Sequence, residues 1–561
     1  MCKGAIVEMQ TGHWWDKLGI PQYGGEMTIR ANRDIVNFDP WFDESNLCSI
    51  QGAWTERLVC DDWTLDPAVW NYKLGWHPVQ YKKGHLAESW EFPDPHTHVV
   101  HLRKGIHWQD IPPANGREFV ADDVIFHFQR LYGQGGDFTK PSPHHIGVNA
   151  FPDLISITAP DKYTVVFKFK TATPDAIMWT LYNFSLAHCL ENPDAVKKWG
   201  DVSDWHHAIG TGAFILKDFV PGNSAFLVKN ANYWGHDERY PQNKLPYVDT
   251  LKYRIIPDMT EALAEMRAGR IDIINGVPPV QAQTMKKTNP EILQIPGGMT
   301  PPPSVEMRLD MAPFNDIRVR KAMQIAIDLP GIAKTYYQGL VDPYPATIVA
   351  RRFLKGWGFP YEEWPQDLKD EYAYDPIASK KLLAEVGYPN GFKTNVVANT
   401  AADMDLLPII KSYFAQVGID MEIRKMNAND WQAFTRARKH DQLTYQPYGP
   451  WGHDHEPERM VGRFNSDPVT ADLSKKAAAA AHVNDTDTVK QCLRDANERA
   501  MRQHFAISLL EPGLCSLCQP WLKGFNGQIH STWMGGGGPG MASFYLGRFW
   551  IDQKLKKSMG Y

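Results

Sequence analysis

The sequence predicts an α/β protein with central sheets and more than one domain. Three observations carry this. The chain has 561 residues, too many for one ordinary core, and domains of about 100–200 residues imply two to four units. Segments that alternate apolar and polar residues recur along it. Amphipathic helical stretches lie between those segments, the pattern of sheets covered by helices.

Residues 1–23 are irregular, rich in Gly, Trp and polar residues, and read as a tail or arm. Gly24-Gly25 leads into a strand over Met27–Arg30, followed by a turn-rich loop from Asn32 to Pro40. Thr164–Lys170 alternates, with Val165, Phe167 and Phe169 on one side, and reads as a half-buried strand. Ala378, Leu382 and Val386 share a helical face, with Leu383 beside them. Asp375 is placed to cap that helix, Pro376 suits its first turn, and Gly387 suits its left-handed end. Leu406, Leu407, Ile410, Phe414 and Val417 form a second stripe, stopped by Gly418; Val319, Met323 and Ile327 form a third. Such stripes are core faces. Ala477–Ala481 reads as helix, and Gly535–Gly538 as a flexible loop that can also bring backbone against a ligand.

Composition narrows the function. The hydrophobic fraction is 43% and the net charge -5, with a mean hydropathy of -0.41. No basic face for nucleic acid is evident, and no run approaches the roughly 18–20 apolar residues of a membrane span. Twenty Trp residues serve either a large core or a cleft lined with rings. The seven cysteines, at 2, 48, 60, 189, 492, 515 and 518, are odd in number. Cys515 and Cys518 form a C-x-x-C read as a local disulfide or two buried thiols, since nothing around them resembles a redox or zinc motif. No basic-then-apolar leader opens the chain, which leaves an internal protein or one whose leader has been removed. Cys2 directly after Met1 has the placement of a lipidated cysteine.

No phosphate loop, nucleophile elbow or complete dinucleotide fingerprint is present. His453, Asp454, His455 and Glu456 are dense in metal-ligating groups, but Pro457 breaks the helix that a zinc-protease motif requires. Two readings of this loop stand: hydrogen-bonded loop chemistry, or a transition-metal site through His453 and His455. The prior shifts toward binding and away from catalysis, and no cofactor is expected.

Longer blocks add a resemblance. Leu86-Ala87-Glu88-Ser89-Trp90 precedes His101-Leu102-Arg103-Lys104-Gly105, and Phe119-Val120-Ala121-Asp122-Asp123-Val124 follows. Further on come Gly210-Thr211-Gly212-Ala213-Phe214 with Asn232-Tyr233-Trp234-Gly235, then Ala268-Gly269-Arg270-Ile271-Asp272. Pro313-Phe314-Asn315-Asp316-Ile317-Arg318-Val319-Arg320 and Tyr374-Asp375-Pro376 with Gly387-Tyr388-Pro389 complete the set. In this order they resemble the bacterial dipeptide-, oligopeptide- and nickel-binding proteins of ABC import. Ala213 departs from the family's usual Pro.

That resemblance implies the two-lobed periplasmic-binding-protein fold in its larger class, with an extra domain and a ligand cleft between lobes joined by hinge strands. Mapped here, lobe I takes residues 1–58, 207–298 and 519–561, the extra domain 59–206, and lobe III 299–518. It implies a receptor, not an enzyme, that hands a peptide-like solute to a membrane permease. It also implies a monomer outside the cytoplasm, with a lipid anchor at Cys2 as an option. Peptide-binding members use a W-x-x-D loop whose Asp takes the peptide α-amine; Trp451-Gly452-His453-Asp454 keeps that spacing, though Pro457 comes one residue early. Tyr448 flanks this loop. Asn32 and Arg33 lie where members touch ligand. Arg308 stands where many have Asn and either pairs a ligand carboxylate or bridges to Asp310. Trp533 adjoins the Gly535–Gly538 loop. An oligosaccharide or other small organic solute, a metal or metallophore, and a hydrolase on the same scaffold are the competing readings.

Overall fold

The computed structural model describes the chain except residues 1–12, 33, 36, 43–47, 63, 67–81, 143–153, 171–188, 297–302, 348–355, 400–402, 428–429, 432–433, 436–437, 441, 448–465, 483–484 and 527–544. Its first strands are β1 (Glu26–Ala31), β2 (Ala87–Asp94), β3 (Thr97–Leu102), β4 (Leu154–Asp161) and β5 (Thr164–Phe169). Then come β6 (Phe214–Val220), β7 (Ser224–Lys229), β8 (Thr250–Ile255), β9 (Ile273–Val277) and β10 (Leu293–Pro296). The last are β11 (Pro303–Met307), β12 (Lys393–Asn399), β13 (Asp420–Met426), β14 (Leu443–Pro447), β15 (Ala506–Ser508) and β16 (Cys515–Cys518). The helices used below are α1 (Ala121–Tyr132), α2 (Ile317–Ile325), α3 (Leu329–Thr335), α4 (Pro376–Glu385) and α5 (Leu406–Gln416).

The chain forms two compact units. One comprises Met1–Val277, Thr284–Gly298 and Cys515–Tyr561; the other comprises Pro278–Gln283 and Met299–Leu514.

The first unit holds a seven-stranded sheet in the order β10-β16-β9-β1-β8-β7-β6. Strand β1 is parallel to both β8 and β9. Met27, Ile29, Leu227, Leu251 and Ile273 lie in the core on this sheet. A second, antiparallel sheet in the order β2-β3-β5-β4 carries its own core around Val100, Val165, Phe167 and α1. Strand β5 is buried at Val165, Phe167 and Phe169, as its alternation predicts.

The family-like blocks in this unit turn out to be structural. Asp123 accepts hydrogen bonds from Trp108 Nε1 at 3.1 Å, Arg117 Nη2 at 2.7 Å and the Val120 amide at 3.0 Å. One carboxylate thus ties Trp108 and Arg117 to the Phe119–Val124 block and caps α1. Tyr233 Oη and Trp234 Nε1 donate to the fully buried Glu56 at 2.7 and 3.0 Å. Asp272 accepts from the Thr28 amide and Trp521 Nε1, both at 2.7 Å. Gly269 adopts φ +67°, and a Cβ there would lie 2.2 Å from the Tyr561 ring.

The second unit is built on a sheet in the order β13-β12-β14-β11-β15. Strands β12, β13 and β14 are parallel, and β11 is antiparallel to β14 and β15. The predicted stripe of α5 is buried throughout: Leu406, Leu407, Ile410 and Phe414, with Val417 just beyond. Val319, Met323 and Ile327 are buried as well.

One expectation shifts. On α4 the buried positions are Ser379 and Leu383, while Ala378, Leu382 and Val386 flank them half-buried. Ser379 Oγ donates to the Ala322 carbonyl at 2.8 Å, so this polar residue is satisfied inside a helix–helix contact that hydrophobicity alone misses. Asp375 caps α4 as expected, accepting from the Ile377 and Ala378 amides. Cys515 and Cys518 are both free. They sit three apart on β16, so their side chains point to opposite faces. Burial pushes the Cys515 thiol up to about 11 and Cys518 higher still, leaving both as inert thiols.

Among the described residues no helix is long and apolar enough to cross a membrane, and no group of three or more His, Cys, Asp or Glu is arranged to hold a metal ion. His453 and His455, Cys2 and the Gly535–Gly538 loop lie outside the described residues.

Candidate functional site

In open sheets of parallel strands, ligands bind outside the carboxyl ends of the strands, where loops diverge. Each unit has such an edge.

In the first unit the edge lies at the end of β1, where the chain enters the loop beginning at Asn32. Asn32 is half-buried there; Arg33 is outside the described residues. The loop is held firmly just beyond. Asp34 accepts from the Ile35 amide at 2.9 Å and the Gly222 amide at 2.8 Å. Ile35 and Phe38 enter the core.

Asp39 is fully buried and binds Arg130 through both carboxylate oxygens, at 2.8 and 2.5 Å. It also accepts from the Trp41 amide at 3.0 Å and the Val202 amide at 3.2 Å. Arg130 reaches Glu191 at 3.2 Å, and Glu191 is tightly hydrogen-bonded to His127. Burial alone would raise the Glu191 carboxyl, but His127 and Arg130 hold it at about 2. The root of the Asn32 loop is therefore a buried ion network on α1.

In the second unit, β14 ends at Pro447, and the sequence continues with Tyr448 and Trp451–Asp454. Tyr448, Trp451, His453 and Asp454 all lie outside the described residues, as does Trp533. What surrounds their starting point is described. The connection from β12 to α5 carries Asp403, and Tyr336 and Tyr337 follow α3. Tyr336 Oη donates to Asp403 Oδ1 at 2.7 Å. Tyr445, two residues before the end of β14, lies in register between Ala398 and Val305.

Tyr445 is 1% exposed and Tyr337 3%. Among the described residues neither buried hydroxyl has a hydrogen-bond partner. Burial raises both phenols well above their ordinary range, and the charge of Asp403 adds to it. Sequence reading missed Asp403, Tyr336, Tyr337 and Tyr445. The only signal was a tyrosine on the buried side of a strand and a tyrosine pair after a helix, which is also the signal of core packing.

Arg308 lies elsewhere. Met307 pairs with Leu443, and the Arg308 amide donates to Gln442, so Arg308 is at the amino end of β14. Four residue steps separate that row from Pro447, about 13 Å along the strand. Its guanidinium grips Asp310 through two bonds of 2.8 Å and donates to the carbonyls of Arg438 and His440 at 3.0 and 2.8 Å. Of the two roles considered for Arg308, the bridge to Asp310 is the one it makes here.

Two α/β units, each with parallel strands ending at an edge, make the architecture of a solute receptor. The chain belongs to the bacterial extracellular solute-binding proteins, family 5, whose family model matches residues 83–466. Heme-binding protein A of Haemophilus influenzae is 27% identical over 410 residues, covering 68% of this chain and 70% of that protein. The glutathione-binding protein GsiB of Escherichia coli K12 is 28% identical over 353 residues; the match covers 62% of this chain and 61% of GsiB. The periplasmic binding protein DppA of Helicobacter pylori, solved with the peptide STSA, superposes with a TM-score of 0.72 at 21% identity. That superposition covers 95% of this chain and 99% of DppA.

Proposed function

We propose that this protein captures a short peptide or peptide-like solute outside the cytoplasm and delivers it to the permease of an ABC importer. One observation carries the reading: the W-x-x-D spacing at Trp451–Asp454 falls inside the family match and comes shortly after β14 in the sequence, and β14 itself ends at the carboxyl edge of the parallel strands. In this reading Asp454 takes the α-amine, with Tyr448, Trp451 and His453 around it and Asn32, Arg33 and Trp533 as further contacts. The names of the relatives, which include a glutathione-binding protein and a receptor solved with a tetrapeptide, favour a peptide-like ligand.

The protein acts as a monomer without cofactor or catalytic residue, and Cys2 is its candidate lipid anchor. We further propose the three-part division into 1–58, 207–298 and 519–561; 59–206; and 299–518. The separate cores around Met27, Phe167 and Val305 support it.

Native mass spectrometry of the purified protein, followed by denaturation and identification of what is released, tests the reading. Short peptides support it. A sugar, a metal complex or a porphyrin overturns the peptide assignment and keeps the fold. Independently, Asp454→Asn should weaken peptide binding by about 2–5 kcal/mol, as loss of one partner of a buried charge pair does. An unchanged affinity removes Asp454 from the site.

A further inference from the structure

The second unit contains a polar cluster that packing does not explain. A buried hydroxyl without a partner is unfavourable, and native structures keep few of them. Here two occur together, on Tyr337 and Tyr445. Tyr337 and Tyr445 belong to one core cluster, and Tyr336 packs against it while hydrogen-bonded to Asp403, which places the four groups in one neighbourhood. The ring centroids of Tyr336 and Tyr337 are 4.8 Å apart.

The cluster is graded. Asp403 is exposed and Tyr336 half-buried, whereas Tyr337 and Tyr445 are enclosed. Tyr336 occupies one oxygen of Asp403. Among the described residues the other, Oδ2, has no protein donor.

The charge around these phenols has one sign. Among the described residues the charged groups acting on them are Asp403 and, for Tyr336, Asp405, with no Lys or Arg contributing. The amino end of α5 follows at Leu406, and a helix dipole supplies about half a positive charge. Two carboxylates exceed that, so the cluster remains negative. An anionic ligand group is disfavoured. A primary ammonium fits: it has three N–H donors, and the cluster offers a free carboxylate oxygen and two unused phenol oxygens. Aromatic rings add attraction for a cation.

We propose that Asp403, Tyr337 and Tyr445 form a subsite for a primary ammonium group of the solute, separate from the α-amine assigned to Asp454. The proposal rests on the reading of this strand edge as part of the solute site. It implies a preference for ligands with a basic side chain or a second amine.

The test uses the full chain and three probes: Ala-Ala-Ala, Ala-Lys-Ala and cadaverine. Affinities are measured by isothermal titration for the parent, Asp403→Asn and Tyr445→Phe. The parent should bind Ala-Lys-Ala more tightly than Ala-Ala-Ala by on the order of tenfold to a hundredfold, the range of a hydrogen bond to a charged group. Both substitutions should abolish that difference and leave Ala-Ala-Ala within about threefold, a range well inside one such bond. Tyr445→Phe keeps the ring and removes an unpartnered hydroxyl, so its ligand-free melting temperature should not fall. A parent that does not discriminate between the peptides overturns the subsite and leaves the peptide reading intact. Discrimination that survives both substitutions does the same. Cadaverine bound by the parent, lost in both variants, with neither peptide bound, supports the subsite and overturns the peptide reading. Binding of none of the three probes overturns both.

Discussion

Arg130→Met tests the claim that the buried ion network anchors the loop bearing Asn32. Arg130 is 7% exposed at its side chain, Asp39 0% and Glu191 4%. Solvent screening is therefore slight, and the weak energies of surface pairs do not apply. Methionine fills similar space but leaves two carboxylates buried without their cation. Breaking a buried pair in this way costs about 3–5 kcal/mol. His127 still gives Glu191 a hydrogen-bond partner, which argues for the lower end, about 3 kcal/mol.

Urea denaturation followed by tryptophan fluorescence reads the loss. Hydrogen exchange at the amides of Ile35, Asp39 and Trp41 reads whether it is local to the loop. A double-mutant cycle with Asp39→Asn should give a coupling of about 2 kcal/mol or more. A loss below about 1 kcal/mol, with exchange unchanged, would refute the argument. So would additive single effects, because they would mean that Arg130 and Asp39 act independently.

Three further predictions concern His98, Gly269 and Phe414. Burial holds the His98 imidazole at about 3, so the unfolded chain takes up a proton between about pH 6.5 and 3 while the folded chain does not. Stability should fall as the pH drops through that window, by on the order of 5 kcal/mol in full. His98→Phe, which keeps the stack on Phe92, should flatten the fall in urea titrations across that range; an unchanged profile disproves the assignment. Gly269→Ala should cost about 1–3 kcal/mol from its positive φ and its clash with Tyr561. Most of the clash should disappear in a Tyr561→Gly background, and equal losses in both backgrounds in calorimetry would exclude the contact. Phe414→Ala, in the core of the second unit, should cost about 3–5 kcal/mol by transfer and cavity terms; a loss under 1 kcal/mol in denaturant titration would mean that the core refills.

The sequence by itself determined the α/β class, the stripes of α2 and α5, the alternation of β5 and the cap at Asp375. Each is a local pattern with a period or a fixed offset, so it survives without the fold. The long signature blocks were also legible, and the structure gives their physical meaning: Asp123, Glu56, Asp272 and Gly269 hold distant segments together. Only tertiary structure decided the rest. Ser379 is buried because the Ala322 carbonyl lies 57 residues away in sequence and in contact. Arg308 is a bridge at the amino end of β14 because strand register puts it there. Asp403 meets Tyr336 across 67 residues, next to a core tyrosine on β14, and no spacing in the chain announces it. Side chains that gather from separate loops at a strand edge have no common period, and their convergence exists only once the sheet and its crossovers have formed.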